Sequence, residues 1–167
     1  MSAQDSKLFV ISGPSGAGKG TLVTRVRERR SNLGLTVSAT TRAPRKGEVD
    51  GVNYFFLTRE EFDRRVANGE FVEWAEVHGN CYGTLVSEVT SKLASGASLI
   101  LEIDVQGALQ VKERFPEAVL IFIKPPSLEV LRERLVGRGT ETPETIELRM
   151  ANAADELALA DRYDDVV

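Results

Sequence analysis

The sequence predicts an α/β fold of the P-loop kind, three layers with a parallel β-sheet core, on three observations. Apolar runs from Leu8 to Ile11, Leu99 to Ile103 and Val119 to Ile123 are short, aliphatic and unbroken, as strands covered on both faces read. Each is followed by a helical pattern, at Leu22 to Arg30, Val105 to Arg114 and Leu128 to Val136, so strand and helix alternate as in right-handed βαβ units. Between the first strand and the first helix lies a glycine-rich segment with a single lysine. In such sheets ligands sit in the crevice beyond the carboxyl ends of the strands.

The first strand leads into Gly13, Pro14, Ser15, Gly16, Ala17, Gly18, Lys19, Gly20 and Thr21. Glycines let the backbone fold around phosphates and present its N–H groups at a positive helix terminus, while Lys19 brings a point charge to the β/γ oxygens. The expected ligand is a nucleoside triphosphate. The usual pattern sets Ser or Thr directly after the lysine, but here Gly20 intervenes. Either Thr21 supplies a hydroxyl to the metal, or Mg²⁺ is held mainly by phosphates and waters, as its reluctance to dehydrate permits.

In the middle of the chain Val52 to Leu57, Phe71 to Val77 and Cys81 to Thr84 read as short strands with glycine-bearing turns between them, a mostly β insertion. One helix within it is marked by Thr58 followed three residues later by Glu61, a capping-box spacing. Trp74 is expected in the core, with Glu73 on the opposite face of its strand. A further helix opens at Thr142-Pro143 and carries Ile146, Met150, Ala153 and Leu157 on one stripe, cap then first-turn proline. The terminal Tyr163-Asp-Asp-Val-Val reads as the opening of another buried strand, cut short by truncation or continued in a tail.

Composition removes several function classes. With 167 residues the chain has room for one compact body and not for two independent cores. No apolar run nears the length of a membrane helix, and the start lacks a signal-peptide pattern, so a cytoplasmic protein without membrane partners is expected. A net charge of −4 argues against nucleic acid, which demands a broad basic surface. His78 is the only histidine and Cys81 the only cysteine, so a Cys/His zinc site and an intramolecular disulfide are excluded by counting. Those two residues read as a turn histidine and a packed thiol.

Six further segments appear in a characteristic order: Ser38-Ala-Thr-Thr-Arg-Ala-Pro-Arg45, Gly47-Glu-Val-Asp-Gly51, Glu73-Trp-Ala-Glu76, Tyr82-Gly-Thr84, Glu102-Ile-Asp-Val-Gln-Gly107 and Gly137-Arg-Gly-Thr140. Together with the phosphate loop they resemble the guanylate kinases from Lys7 to Val167. The resemblance implies a P-loop core over 1–35 and 91–167, a GMP-binding insertion over 36–90 and a short helical lid over about 138–147. In that family a strand, an Asn near the adenine and a last helix follow; they are absent from this sequence. It also implies the reaction, reversible transfer of the ATP γ-phosphoryl group to GMP with Mg²⁺, and ATP and GMP as partners.

For the acceptor site, Arg42 and Arg45 form a short basic run with Lys46; guanidinium forks grip phosphate oxygens bidentately, although the run alone reads equally well as a solvated face. By resemblance Ser38, Tyr54 and Tyr82 add hydroxyls to the same phosphate. Glu73 matches the residue that reads guanine, whose N1–H and N2–H are donors where adenine offers an acceptor, and Thr84 serves the O6 side. Without the resemblance Glu73 would read as a surface acid. Glu102 and Asp104 end a strand, where P-loop enzymes keep a carboxylate near the metal; the resemblance lets Asp104 also touch the guanine amino group. On the donor side Lys19, Arg134, Arg138 and Arg149 match the family's catalytic positions, with Gly137 and Gly139 flanking Arg138 in a moving lid. Two other readings stand beside this one: a binding module on the same fold, and a kinase for another phosphorylated acceptor.

Overall fold

The computed structural model describes residues 5–167. Its main sheet has five parallel strands: β1 (Leu8–Ser12), β2 (Leu33–Leu35), β7 (Ser98–Glu102), β8 (Val119–Phe122) and β9 (Asp165–Val166), in the spatial order β2-β7-β1-β8-β9. The chain leaves β1 for β2 on one side, returns through β7, then crosses β1 to reach β8. That reversal opens a crevice at the carboxyl ends of β1, β7 and β8.

Residues within the central strands alternate between two apolar layers. Leu8 and Val10 join Leu99, Leu101, Leu120 and Phe122 on the face covered by α3 (Val86–Ala94) and α4 (Val105–Arg114), through Val89, Val105, Ala108 and Val111. Ile11 and Ile100 turn the other way, against Val23 of α1 (Lys19–Arg29). Covering both faces is what makes these strands unbroken aliphatic runs. No helix among the described residues is long and apolar enough to cross a membrane.

A second sheet, in the order β4-β3-β6-β5, contains β3 (Ala39–Thr40), β4 (Phe55–Phe56), β5 (Phe71–Val77) and β6 (Asn80–Leu85), and α2 (Arg59–Ala67) packs on it. Phe62 of α2 is fully buried against Phe71, ring centroids 4.4 Å apart, with Ala39, Cys81 and Leu85 around it; emptying such a site costs roughly 3–5 kcal/mol. Thr58 caps α2 by accepting the N–H of Glu61 at 3.1 Å. The β5–β6 hairpin turns through His78 and Gly79, at φ 50° and 81°, the positive pair of a two-residue turn.

Between the layers α5 (Leu128–Gly137) packs on α6 (Pro143–Ala158) through Leu131, Leu135, Ile146 and Ala153. Thr142 caps α6 by accepting the N–H of Thr145, with Pro143 in the first turn.

Three sequence expectations are corrected. Only Phe55 and Phe56 of the stretch from Val52 to Leu57 pair as a strand. The Asn53 side chain accepts the N–H of Val49 at 2.8 Å and Gly51 has φ 79°, so this local bond and the positive-φ turn replace the ladder there. Trp74 is 41% exposed, because β5 is an edge strand with a register shift between Phe71 and Glu73, leaving the indole only an edge contact with Phe62 at 6.2 Å. The terminal strand does form beside β8, but Val166 and Val167 are exposed; as the edge of the sheet, β9 has no helix over it.

Candidate active site

The phosphate loop arches from the end of β1 to the start of α1. Gly13 is fixed there by space: a Cβ on it would lie 2.3 Å from the carbonyl oxygen of Ile123, so any side chain would separate β1 from β8. Gly16 and Gly18 have φ 87° and 99°, open to glycine at little cost. Gly18 is the N-cap of α1 and offers no side-chain cap, leaving first-turn N–H groups free for an anion. Lys19 reaches back to donate from Nζ to the carbonyl of Gly13. Burial pulls its pKa down, opposed by the charges of Glu156, Glu102 and Asp104, and triphosphate oxygens would relieve the same cost.

Two arginines come to this loop from helices far along the chain. Arg134 of α5 donates from Nη1 to the carbonyl of Gly16 at 3.1 Å, and Arg149 of α6 donates from Nη1 to Ser15 Oγ at 2.8 Å. Glu141 holds Arg149 from behind, with Oε2 2.7 Å from Nε. Arg138 differs. It ends α5 as an exposed C-cap, Gly139 beyond it has φ 66°, and Arg138 makes no side-chain hydrogen bond or ion pair among the described residues.

Glu102 closes β7, and a Cβ on Gly20 would come 3.9 Å from its Oε1, so this carboxylate faces the first turn of α1. Asp104 is the N-cap of α4, accepting the N–H of Gly107 at 2.7 Å, with its own carbonyl 3.4 Å from Ser12 Oγ. Among the described residues no three His, Cys, Asp or Glu side chains converge as a metal cage. The residues therefore fit an ion that takes most of its ligands from phosphate oxygens and water, with at most Thr21 or one carboxylate added, which is how Mg²⁺ commonly binds with nucleotides.

The second sheet carries the other half. Glu73 on β5 pairs across the ladder with Thr84 on β6, whose Oγ1 donates to Glu73 Oε1 at 2.8 Å. Burial raises the Glu73 pKa, with Asp104 adding like-charge repulsion and the Thr84 hydroxyl opposing. A Cβ on Gly107 would lie 3.2 Å from Glu73 Oε2, so the start of α4 closes directly on this carboxylate.

On the loop between β3 and β4, Arg42 lies 5.2 Å above the Tyr54 ring, and the rings of Tyr54 and Tyr82 meet edge to face at 6.2 Å. Ser38, just ahead of β3, accepts the N–H of Phe55 at 2.8 Å through its carbonyl. Arg45 has an exposed side chain and is tied through its backbone, its N–H to the Glu48 carboxylate and its carbonyl to the Glu48 N–H.

The structure thus collects the candidate residues into two groups, one around the phosphate loop and one on the second sheet, with Asp104 and Glu102 between them. Sequence reasoning missed Glu48 and Glu141, which hold arginines, and placed Ser15 in the phosphate loop without its bond to Arg149. Glu48 lies between Gly47 and Val49 in a characteristic segment, but nothing in its spacing named Arg42 as partner.

The family model described as guanylate kinase matches residues 5–167. A guanylate kinase of Halalkalibacterium halodurans is 54% identical over 167 residues, which is 100% of this chain and 82% of that protein. That of Gloeobacter violaceus is 58% identical over 162 residues, covering 97% and 79%. The crystal structure of guanylate kinase from Anaplasma phagocytophilum superposes with a TM-score of 0.71 at 39% identity, covering 98% of this chain and 77% of that one.

Proposed function

The chain belongs to the guanylate kinase family and is an ATP:GMP phosphotransferase, and from that premise we propose which of its residues perform the transfer. Arg42, Arg45, Ser38, Tyr54 and Tyr82 hold the phosphate of GMP. Glu73, with Thr84 and Asp104, reads the guanine. The phosphate loop from Gly13 to Thr21 takes the ATP phosphates, and Lys19, Arg134, Arg138 and Arg149 neutralise charge on the group in flight. The observation that carries the acceptor assignment is the half-buried Glu73 carboxylate fixed by Thr84 at 2.8 Å, a pair of acceptor oxygens suited to two adjacent N–H donors and unsuited to adenine.

The chemistry asks mainly for alignment and charge compensation. The acceptor is a phosphate monoester dianion and is its own nucleophile, so no residue is needed to remove a proton. Arg134 and Arg149 already reach the loop, which supports their action on the β and γ oxygens. Arg138 joins on movement of the segment around Gly137 and Gly139, excluding water that would otherwise accept the phosphoryl group. Mg²⁺ bound with ATP would supply positive charge against the phosphate oxygens, and Thr21 or Glu102 would be the side chain to help hold it. Nucleotides are the partners in this reading, in keeping with the net charge of −4, and the reaction runs in the cytoplasm, where free nucleotides are found.

Phosphoryl transfer from Mg-ATP to GMP, AMP, CMP and UMP in parallel tests the assignment. GDP formation well above the other three products is expected. Comparable rates with AMP would remove Glu73 from the base-reading role.

A further inference from the structure

One charged group in the acceptor region has no place in the roles above. Glu48 accepts from Nη1 and Nη2 of Arg42 at 2.9 and 3.0 Å. The same carboxylate accepts the backbone N–H of Arg45 at 2.7 Å, and the N–H of Glu48 donates to the Arg45 carbonyl at 3.0 Å. Arg42 and Glu48 side chains are 14% and 18% exposed. Every other ion pair among the described residues has a partner at least 36% exposed, the class that contributes little. The Arg42–Glu48 pair is enclosed and bidentate.

Counting donors shows what the pair leaves available. A guanidinium has five N–H groups in a fixed plane. Arg42 gives one from Nη1 to the carbonyl of Ala43 at 2.9 Å and one each from Nη1 and Nη2 to Glu48. The two that remain, on Nε and Nη2, leave adjacent nitrogens in the same direction. They form the side-on fork that suits two oxygens of a phosphate, on a different edge from the one Glu48 occupies, with the guanidinium carbon 5.2 Å from the Tyr54 ring centroid.

We propose that Glu48 is a positioning residue for the acceptor phosphate: it locks the Arg42 guanidinium with its Nε/Nη2 edge free, and through the Arg45 N–H it sets the turn that carries the second arginine. The proposal rests on Arg42 as a ligand of the GMP phosphate. An arginine held in its bound rotamer before the ligand arrives pays less ordering entropy on binding. Repulsion between the Glu48 carboxylate and the phosphate opposes this, but the cationic plane intervenes. Hydrogen bonds from Arg42 and from the Arg45 backbone hold the Glu48 pKa down to about 2, so the lock is charged throughout the working pH range.

Steady-state kinetics and thermal melts of Glu48→Gln, Arg42→Lys and the double variant test the proposal, with guanosine as a competitive inhibitor that lacks the phosphate. Glu48→Gln should raise the KM for GMP about tenfold, the scale of one hydrogen bond to a charged group. The KM for ATP, the Ki of guanosine and the Tm should stay near their original values. The double variant should be no worse for GMP than Arg42→Lys alone. An unchanged or lowered KM for GMP would overturn the proposal, the second by showing Glu48 to compete with phosphate. Equal losses for guanosine and ATP with a lowered Tm would reduce it to a structural brace. If Arg42→Lys itself leaves the KM for GMP unchanged, the phosphate role of Arg42 fails and the positioning role with it.

Discussion

Replacing Glu73 by Gln should weaken GMP while leaving the protein as stable as before or more so. The amide keeps the volume and can still accept from Thr84 through its oxygen, where Oε1 now accepts at 2.8 Å. Its second terminal atom becomes a donor. Guanine brings N1–H and N2–H side by side, so one of two acceptors is lost and a donor faces a donor. One lost hydrogen bond to a charged acceptor is worth about 1.5–3 kcal/mol, or roughly 10- to 150-fold in kcat/KM for GMP. Stability moves the other way because burial and Asp104 raise the Glu73 pKa. From the unfolded value near 4.3 up to the raised folded value, the folded state keeps a proton that the unfolded chain has released. Stability due to this group therefore falls as pH rises through that window and stays reduced above it. The neutral amide escapes this cost. Kinetics with GMP and AMP, and melts at pH 7 and below pH 4, read both signs; the Tm advantage should vanish at the lower pH. A lowered Tm at pH 7 with equal losses for GMP and AMP would refute the reasoning and make Glu73 a brace between β5 and β6.

Two further substitutions test the donor side. Lys19→Ala should lower kcat by about 10²–10³-fold, the effect of removing one preorganised charge donor, with little change in Tm, since burial already disfavours the ammonium; unchanged turnover would remove Lys19 from the mechanism. Gly13→Ala puts a methyl 2.3 Å from the Ile123 carbonyl oxygen and should destabilise the fold by roughly 1–3 kcal/mol, read from the urea midpoint, together with a rise in the KM for ATP; an unshifted midpoint would mean that β1 and β8 part without cost.

The three central strands of the main sheet were legible because they are covered on both faces and announce themselves by composition alone. What stayed hidden has local reasons. Ala39–Thr40 and Leu33–Leu35 are too short to show a period. Helix α3 carries a readable stripe in Val86, Val89 and Leu93, but its N-cap is Leu85, without a side-chain cap bond, so no start signal separates it from β6. Trp74 misled because apolar size was read as depth on a strand that proves to be an edge. The phosphate loop, contiguous and glycine-shaped, could be derived from residues in sequence order. The acceptor site could not: Glu73 gains its meaning from Thr84, eleven residues on across a ladder, and from Gly107, so its role came from resemblance to a family.

The arginines on the two sides share a design that bears on how the site closes. Arg42 is held by Glu48, Arg149 by Glu141 and Ser15, and Arg134 by the Gly16 carbonyl. Each is therefore ordered without substrate, and in each case part of the planar donor set remains for phosphate. Arg138 has no such partner among the described residues and sits next to Gly139 at positive φ. Ordering an exposed, unheld side chain costs entropy at the moment the site closes on phosphate, whereas an arginine already held has met that cost before binding. In the proposed reading, the ordering of Arg138 is therefore the step left to closure of the site. Its contacts would then form only once both phosphates are in place, where they would lower the transfer barrier and not merely tighten ATP.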